Sequence, residues 1–289
     1  MLVRAVSVGS RFVSIVVVAT TVAAMACSKD QASPAPAVST PPPPSSSSPP
    51  STPSPASTGR TDTFATSKGE LGVTPIHHGS FLFEFAGKVI YVDPAIFEED
   101  LGNPRFGDAR FASLPKADYI FITDIHHDHQ DPHAISLVKK DATVLVGPPA
   151  VGEKTPLTVT LKNDETKDFG GFSVATIPMY NLTRGPSPGK LFHDKGRGNG
   201  YVFTFGDKRV YVSGDTECTP EMRALKNIDV AFVCMNLPYT MAPAEAAECV
   251  KAFKPKVVFP FHHRDSNLSE FESPVRAAGT TEVRIRPWY

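Results

Sequence analysis

Beyond residue 70 the chain breaks into short apolar and β-branched runs, punctuated by Gly, Pro, Asn and Asp. These runs predict strands over residues 81–85, 88–92, 119–123, 143–146, 157–161, 172–177, 201–205, 209–213, 229–235, 257–260 and 282–286. Gly87 and the pair Gly206-Asp207 fall between neighbouring runs, as hairpin turns do. Helical spacing is found over 132–140, 220–226 and 243–253, each opening on a proline, which suits a first helical turn. Strands dominate early, and helices fall between strands later. This order predicts one α/β domain over residues 71–289, with mixed sheets covered by helices.

The start of the chain follows a different pattern. Arg4 and Arg11 precede an apolar run over 12–26, which is short for a membrane span and has the layout of a secretory signal. The run ends in Ala24-Met25-Ala26-Cys27, similar to a bacterial lipobox except that Ala24 stands where Leu is usual. Residues 1–27 are therefore expected to be a signal peptide, with Cys27 carrying a lipid that anchors an exported protein to a bacterial membrane, facing the periplasm or exterior. Ordinary cleavage after Ala26 and an uncleaved anchor are the rival readings. Residues 28–70 read as a disordered linker. Over 33–57 they are almost wholly Ser, Pro, Thr and Ala, with nothing to bury.

Composition changes this picture little. A hydrophobic share of 41% and a charged share of 20% are ordinary for a globular enzyme. The net charge of −1 gives no reason to expect nucleic acid. Of the cysteines Cys27, Cys218, Cys234 and Cys249, none form a CxxC pair, which argues against a thiolate zinc site. Export would permit a disulfide, though no pairing is legible. Cys234 lies in an apolar run and reads as core.

The chemistry is concentrated at strand ends. Asp124, His126, His127, Asp128 and His129 follow the run 119–123 directly, and so dense a set of imidazoles and carboxylates suits metal binding better than packing. The run 209–213 leads into Gly214-Asp215-Thr216, and the run 257–260 into Phe261-His262-His263. Separate strand tips meeting at one sheet edge would form a multidentate site.

Taken together, Asp124-x-His126-x-Asp128-His129, Gly214-Asp215-Thr216 and Pro260-Phe261-His262 resemble the motifs of the metallo-β-lactamase superfamily. The opening Ile76-His77-His78-Gly79-Ser80-Phe81 and the later Tyr91-Val92-Asp93-Pro94 are similar to the branch of ascorbate-6-phosphate lactonase and N-acyl phosphatidylethanolamine phospholipase D. The resemblance implies a four-layer αββα sandwich and one or two divalent ions, zinc in the first instance, with manganese or iron as alternatives. One ion would be held by Asp128, His129, Asp215 and His262. The other would use His126 and Asp215, with Asp124 where a histidine is expected. Its last ligand is left open between Asn181, at the expected place, and His193, twelve positions further on. The position could also be weak, or empty.

Other residues carry two readings each. His78 is either a second-sphere or substrate-contacting group or a turn residue, and Asp93 either orients a ligating histidine or ends a strand. His77, His127 and His263 alternate with ligand candidates and are expected to point away. Arg184, Lys195 and Arg197 lie in or beside the Gly-rich stretch 185–200, which reads either as an anion site or as a solvated loop. Tyr239 and Met241 could line the pocket or pack. Glu245, Glu248 and Lys251 read as an exposed helix face. The expected function is hydrolysis of a small-molecule ester, lactone or phosphodiester by a metal-activated water, with Asp128 orienting the nucleophile. No GxSxG elbow, phosphate loop or dinucleotide fingerprint competes with it. The rival classes are a non-catalytic metal- or ligand-binding lipoprotein and di-iron redox chemistry.

Overall fold

A computed structural model describes residues 62–289. The expected signal peptide, Cys27 and the linker up to residue 61 lie outside the described residues. Two seven-stranded mixed sheets stack face to face. The first is formed in chain order by β1 (Asp62–Thr66), β2 (Gly69–His77), β3 (Ser80–Phe85), β4 (Lys88–Val92), β5 (Tyr119–Phe121), β6 (Val144–Gly147) and β7 (Val159–Thr160). The second holds β8 (Thr166–Asp168), β9 (Ser173–Met179), β10 (Gly198–Phe205), β11 (Lys208–Val212), β12 (Val230–Cys234), β13 (Val257–Phe261) and β14 (Glu282–Val283). In each sheet the hairpin-linked strands are antiparallel and the strands joined by crossovers are parallel.

The period of two decides which side chains face which layer. Along β3, Phe81, Phe83 and Phe85 face the second sheet while Leu82 faces outward; along β4, Ile90 and Val92 face in and Tyr91 out. The inner rings interlock: Phe81 stacks on Phe232 at 4.5 Å, and Phe83 meets Phe203 edge-on at 5.4 Å. The outer face of the first sheet is covered by α1 (Asp108–Ser113), α2 (Pro132–Val138) and α3 (Pro149–Gly152), through Phe111, Ile135, Val138 and Val151. Beyond the second sheet lie α4 (Pro220–Arg223), α5 (Pro243–Phe253) and α6 (Ser269–Ala278), with Phe253 of α5 against Tyr211 of β11. The result is the four-layer αββα sandwich.

Most element bounds differ from the sequence reading by a few residues, and two differences matter here. The folded domain includes residues 62–70, which the sequence reading gave to the linker: β1 pairs with β2 over its whole length. Asp62 is buried beneath two guanidiniums, at 2.7 Å from Arg286 and 3.0 Å from Arg284, so the first strand is held by the last residues of the chain. The expected strand over 282–286 ends at Val283, after which the chain runs on to bury Trp288 against Phe81 and Phe261.

Candidate metal centre

The His/Asp groups singled out in the sequence stand at one edge of the sandwich, where β2, β4, β5, β11 and β13 end. The residues that finish these strands bend sharply. His78, Asp93 and His262 take left-handed backbone conformations, with φ of 52°, 44° and 49°. Such conformations are costly for side-chain-bearing residues and concentrate at functional sites. Here they are fixed by cross-ties, since His78 N donates to Trp288 O and His262 N to His78 O. Gly214 turns the chain before Asp215 at φ +59°, and a Cβ there would run into Met179 and Thr123. Gly79 leaves room for the His262 and His129 rings, which lie 3.2 and 3.8 Å from where its Cβ would be.

Two groups of donors share Asp215. In one, His262 Nε2 is 3.3 Å from Asp128 Oδ2 and 3.4 Å from Asp215 Oδ1, and His129 Nε2 is 3.4 Å from Asp215 Oδ2. In the other, His193 Nε2 is 3.4 Å from Asp215 Oδ2 and 3.8 Å from Asp124 Oδ2, which is 2.7 Å from His126 Nδ1. Four donors bound tetrahedrally to one ion at about 2.1 Å stand about 3.4 Å apart. The spacing is therefore that of ligands around an ion. Hydrogen bonding says the same, for His129 Nε2, His193 Nε2, His262 Nε2 and Asp215 Oδ1 are all buried without a hydrogen-bond partner. Buried polar atoms are rarely left so, and four converging ones fit a cation.

The far sides of the His129 and His193 rings are held. His129 Nδ1 lies 2.8 Å from Asp93 Oδ2, and Asp93 is fixed by Thr123 through its N–H at 2.7 Å and its hydroxyl at 2.6 Å. His193 Nδ1 lies 2.7 Å from Asn181 Oδ1, whose own amide donates to Tyr239 O at 2.8 Å. A carboxylate or amide oxygen can only accept, so both imidazoles carry the proton on Nδ1 and turn Nε2 toward Asp215. Of the two residues left open, His193 is the one that reaches the cluster, and Asn181 accepts from its far nitrogen. Asp93 is likewise an orienting group and not a mere turn.

Charge is strongly coupled here. Burial disfavours the charged form of His129, but Asp215, Asp128 and Asp93 outweigh it and push its pKa well up. Burial also opposes ionisation of Asp215 and Asp128, yet the surrounding histidines hold both well below the usual carboxylate range. His78 behaves otherwise. Burial and the adjacent His262 ring, 3.7 Å away, lower its pKa to about 3, so it is neutral at pH 7. Its Nε2 is 3.3 Å from Asp128 Oδ2 and its Nδ1 is 2.6 Å from the Tyr289 hydroxyl. A neutral ring beside an ionised carboxylate donates through Nε2 and accepts at Nδ1. The chain of bonds then runs from Arg264 N to Tyr289 Oη at 2.7 Å, from Tyr289 to His78, and from His78 to Asp128. His78 therefore touches the cluster, and is not simply a turn residue.

Three partners were not legible in the sequence. Arg197 grips Asp124 with two bonds of 3.1 Å, Nε to Oδ1 and Nη2 to Oδ2. Tyr289 supports His78 from 211 residues away. Glu217 accepts from the backbone of Arg184 at 2.6 Å and Thr183 at 3.3 Å and from Asn181 Nδ2 at 3.2 Å, holding the loop that carries Asn181. Two other cations here are also paired: Lys195 with Glu221 at 2.6 Å, and Arg184 with Glu245 at 2.7 Å. Of the cations in the stretch 185–200, Lys195 and Arg197 are therefore engaged by carboxylates of the protein. A cavity of about 200 Å³ opens over the cluster, lined by His126, Asp128, Asp215, Phe192, Tyr239 and Arg264 among others. His127 lines it too, whereas Met241 is core and His77 stacks on Phe106 at 4.2 Å.

The model of a β-lactamase superfamily domain matches residues 72–262. A UPF0173 metal-dependent hydrolase of Pelotomaculum thermopropionicum is 27% identical over 230 residues, covering 74% of this chain and 96% of that protein. A crystal structure from Parabacteroides distasonis, assigned as a metal-dependent hydrolase, superposes with a TM-score of 0.70 at 37% identity, covering 78% of this chain and 97% of that one. The metallo-β-lactamase fold protein YhfI of Bacillus subtilis shares the fold at 15% identity, with a TM-score of 0.57 over 74% of this chain and 95% of its own.

Proposed function

This chain belongs to the metallo-β-lactamase superfamily and is a metal-dependent hydrolase of it, and from that premise we propose that two divalent ions bind side by side at the strand-end cluster and that the substrate is a small ester, lactone or phosphodiester. The observation that carries this reading is the set of buried, unpartnered nitrogens and oxygen around Asp215, spaced as ligands of an ion are. One position would be held by Asp128, His129, Asp215 and His262, the other by Asp124, His126, His193 and Asp215. The donors are nitrogen and oxygen without thiolate, a set that takes zinc, manganese or iron. Ions in these positions supply a water activated at neutral pH and polarise the bond under attack.

The protein's own groups do the rest. Asp128 has one oxygen toward His262 and stands at the cavity, so it can accept a proton from the attacking water. His78 fixes that carboxylate by donating to it. Asp93 and Asn181 keep the His129 and His193 lone pairs aimed inward. Phe192 and Tyr239 form the apolar wall against which a substrate would lie, their rings 5.0 Å apart. The test is a panel of esters, lactones and phosphodiesters offered to metal-loaded protein. Turnover that stops with chelator, returns with metal and falls at least a hundredfold in Asp128→Asn supports the reading. Metal-loaded protein that turns over none of the panel would instead favour a binding role.

Export and a lipid on Cys27 form part of the same proposal. The Cys218–Cys249 disulfide supports export, because such bonds persist in oxidising compartments.

A further inference from the structure

The cations Arg184, Lys195, Arg197 and Arg264 are not equivalent. Arg197, Lys195 and Arg184 are each neutralised by a carboxylate of the protein, at 3.1, 2.6 and 2.7 Å. Among the described residues, Arg264 has no carboxylate within ion-pair reach; its guanidinium lies over the Phe97 ring at 5.1 Å. It nevertheless lines the cavity that exposes Asp128 and Asp215. Its backbone is set at φ 42°, and its N–H is tied to Tyr289 Oη at 2.7 Å, the same hydroxyl that supports His78. The backbone of this residue is thus fixed to the site, while its side chain is exposed and reaches the rim of the cavity. Once Asp128 and Asp215 serve as ligands, the charge left uncompensated among the cavity's lining residues is that of Arg264, in a cavity also lined by Phe192 and Tyr239.

We propose that Arg264 binds an anionic oxygen group of the substrate, distinct from the bond that is cleaved, so that the enzyme selects small esters or lactones bearing a carboxylate or similar oxyanion. This inference rests on the hydrolase reading for what happens next to the anion, but the anion site itself stands without it. A planar guanidinium suits such a group through paired N–H donors, and in a cavity of about 200 Å³ a small substrate would reach both ends.

The test uses matched pairs on the metal-loaded full chain. Mono-4-nitrophenyl glutarate and 4-nitrophenyl valerate differ only in a terminal carboxylate against a methyl group, and glutaramate and valeramide are the corresponding amides for titration calorimetry. The wild type is expected to prefer the anionic member of each pair by about tenfold or more, the size of a charge-assisted hydrogen bond. Arg264→Gln is expected to bring both ratios close to one while metal content stays the same. A wild type with no preference in binding overturns the proposal. So does a preference that survives in Arg264→Gln, because the anion would then sit on the metal centre. Arg264-dependent binding of glutaramate without cleavage of either ester leaves the anion site standing and counts against the ester as the bond cleaved.

Discussion

His129 and His193 approach Asp215 from two sides, and each is aimed by an acceptor on its far nitrogen. Loss of that acceptor frees the ring to turn. Asn181→Leu is expected to weaken binding at the His193 position by about 10- to 100-fold while leaving the other position intact, read by competition with a chromogenic chelator. Arg197 poses a different question. Asp124 is fully buried, and its carboxylate is compensated by this guanidinium and by His126. Breaking a buried pair leaves a bare charge and costs about 3–5 kcal/mol. Arg197→Met should therefore lower the melting temperature of metal-free protein, and added metal should restore much of it by supplying another positive partner. A variant equally destabilised with and without metal would show that Asp124 does not face an ion. The Asp in the signature and the density of histidines were visible in the chain. The partner that makes a buried Asp tolerable was not, because Arg197 lies 73 residues away in a stretch whose composition reads as solvated loop.

Strands that carry strict alternation and end in a turn were the most legible elements: β4 and α5 coincide with their expected bounds. Others were masked by their own composition. β2 contains Gly72 and Pro75, which interrupt a strand pattern, and α6 contains Pro274, which normally ends a helix. β1 has little apolar content beyond Phe64, and its stability comes from distant groups, Arg284 and Arg286 on Asp62 and the Phe259 ring against Phe64 at 6.4 Å. A chain begun at residue 71 is accordingly expected to melt well below one begun at residue 60, in calorimetry under matched metal. The loop held by Glu217 responds to acid. Burial alone would raise the pKa of Glu217, but donors from Arg184, Thr183 and Asn181 bring it below its usual value. A depressed carboxylate contributes stability above the unfolded value of about 4.3, lost as pH falls through the folded value. Amide exchange of residues 181–193 should thus quicken below about pH 4, and in Glu217→Gln the loop should exchange faster already at neutral pH.

For the molecule as a whole, the disulfide and the free thiol have opposite expectations. Cys218–Cys249 closes a loop of 31 residues between the α4 region and α5, which in the chain-entropy view is worth roughly 3–4 kcal/mol, so reduction should lower the melting temperature without emptying the site. Cys234 is fully buried, and burial with nearby Asp215 pushes its thiol up to about 11. It should resist alkylation until the protein unfolds. If Cys27 carries the anchor, Cys27→Ser should move the protein from the membrane fraction to the soluble exported fraction. The central claim, however, is that one edge of the sandwich holds two ions that share Asp215. Elemental analysis of the full chain purified without chelator, beside Asp215→Ala, tests it most directly. Two divalent ions per wild-type chain, falling to far below one in the variant, is the expected result; one ion or none in the wild type, or an Asp215→Ala protein that keeps both, would contradict it.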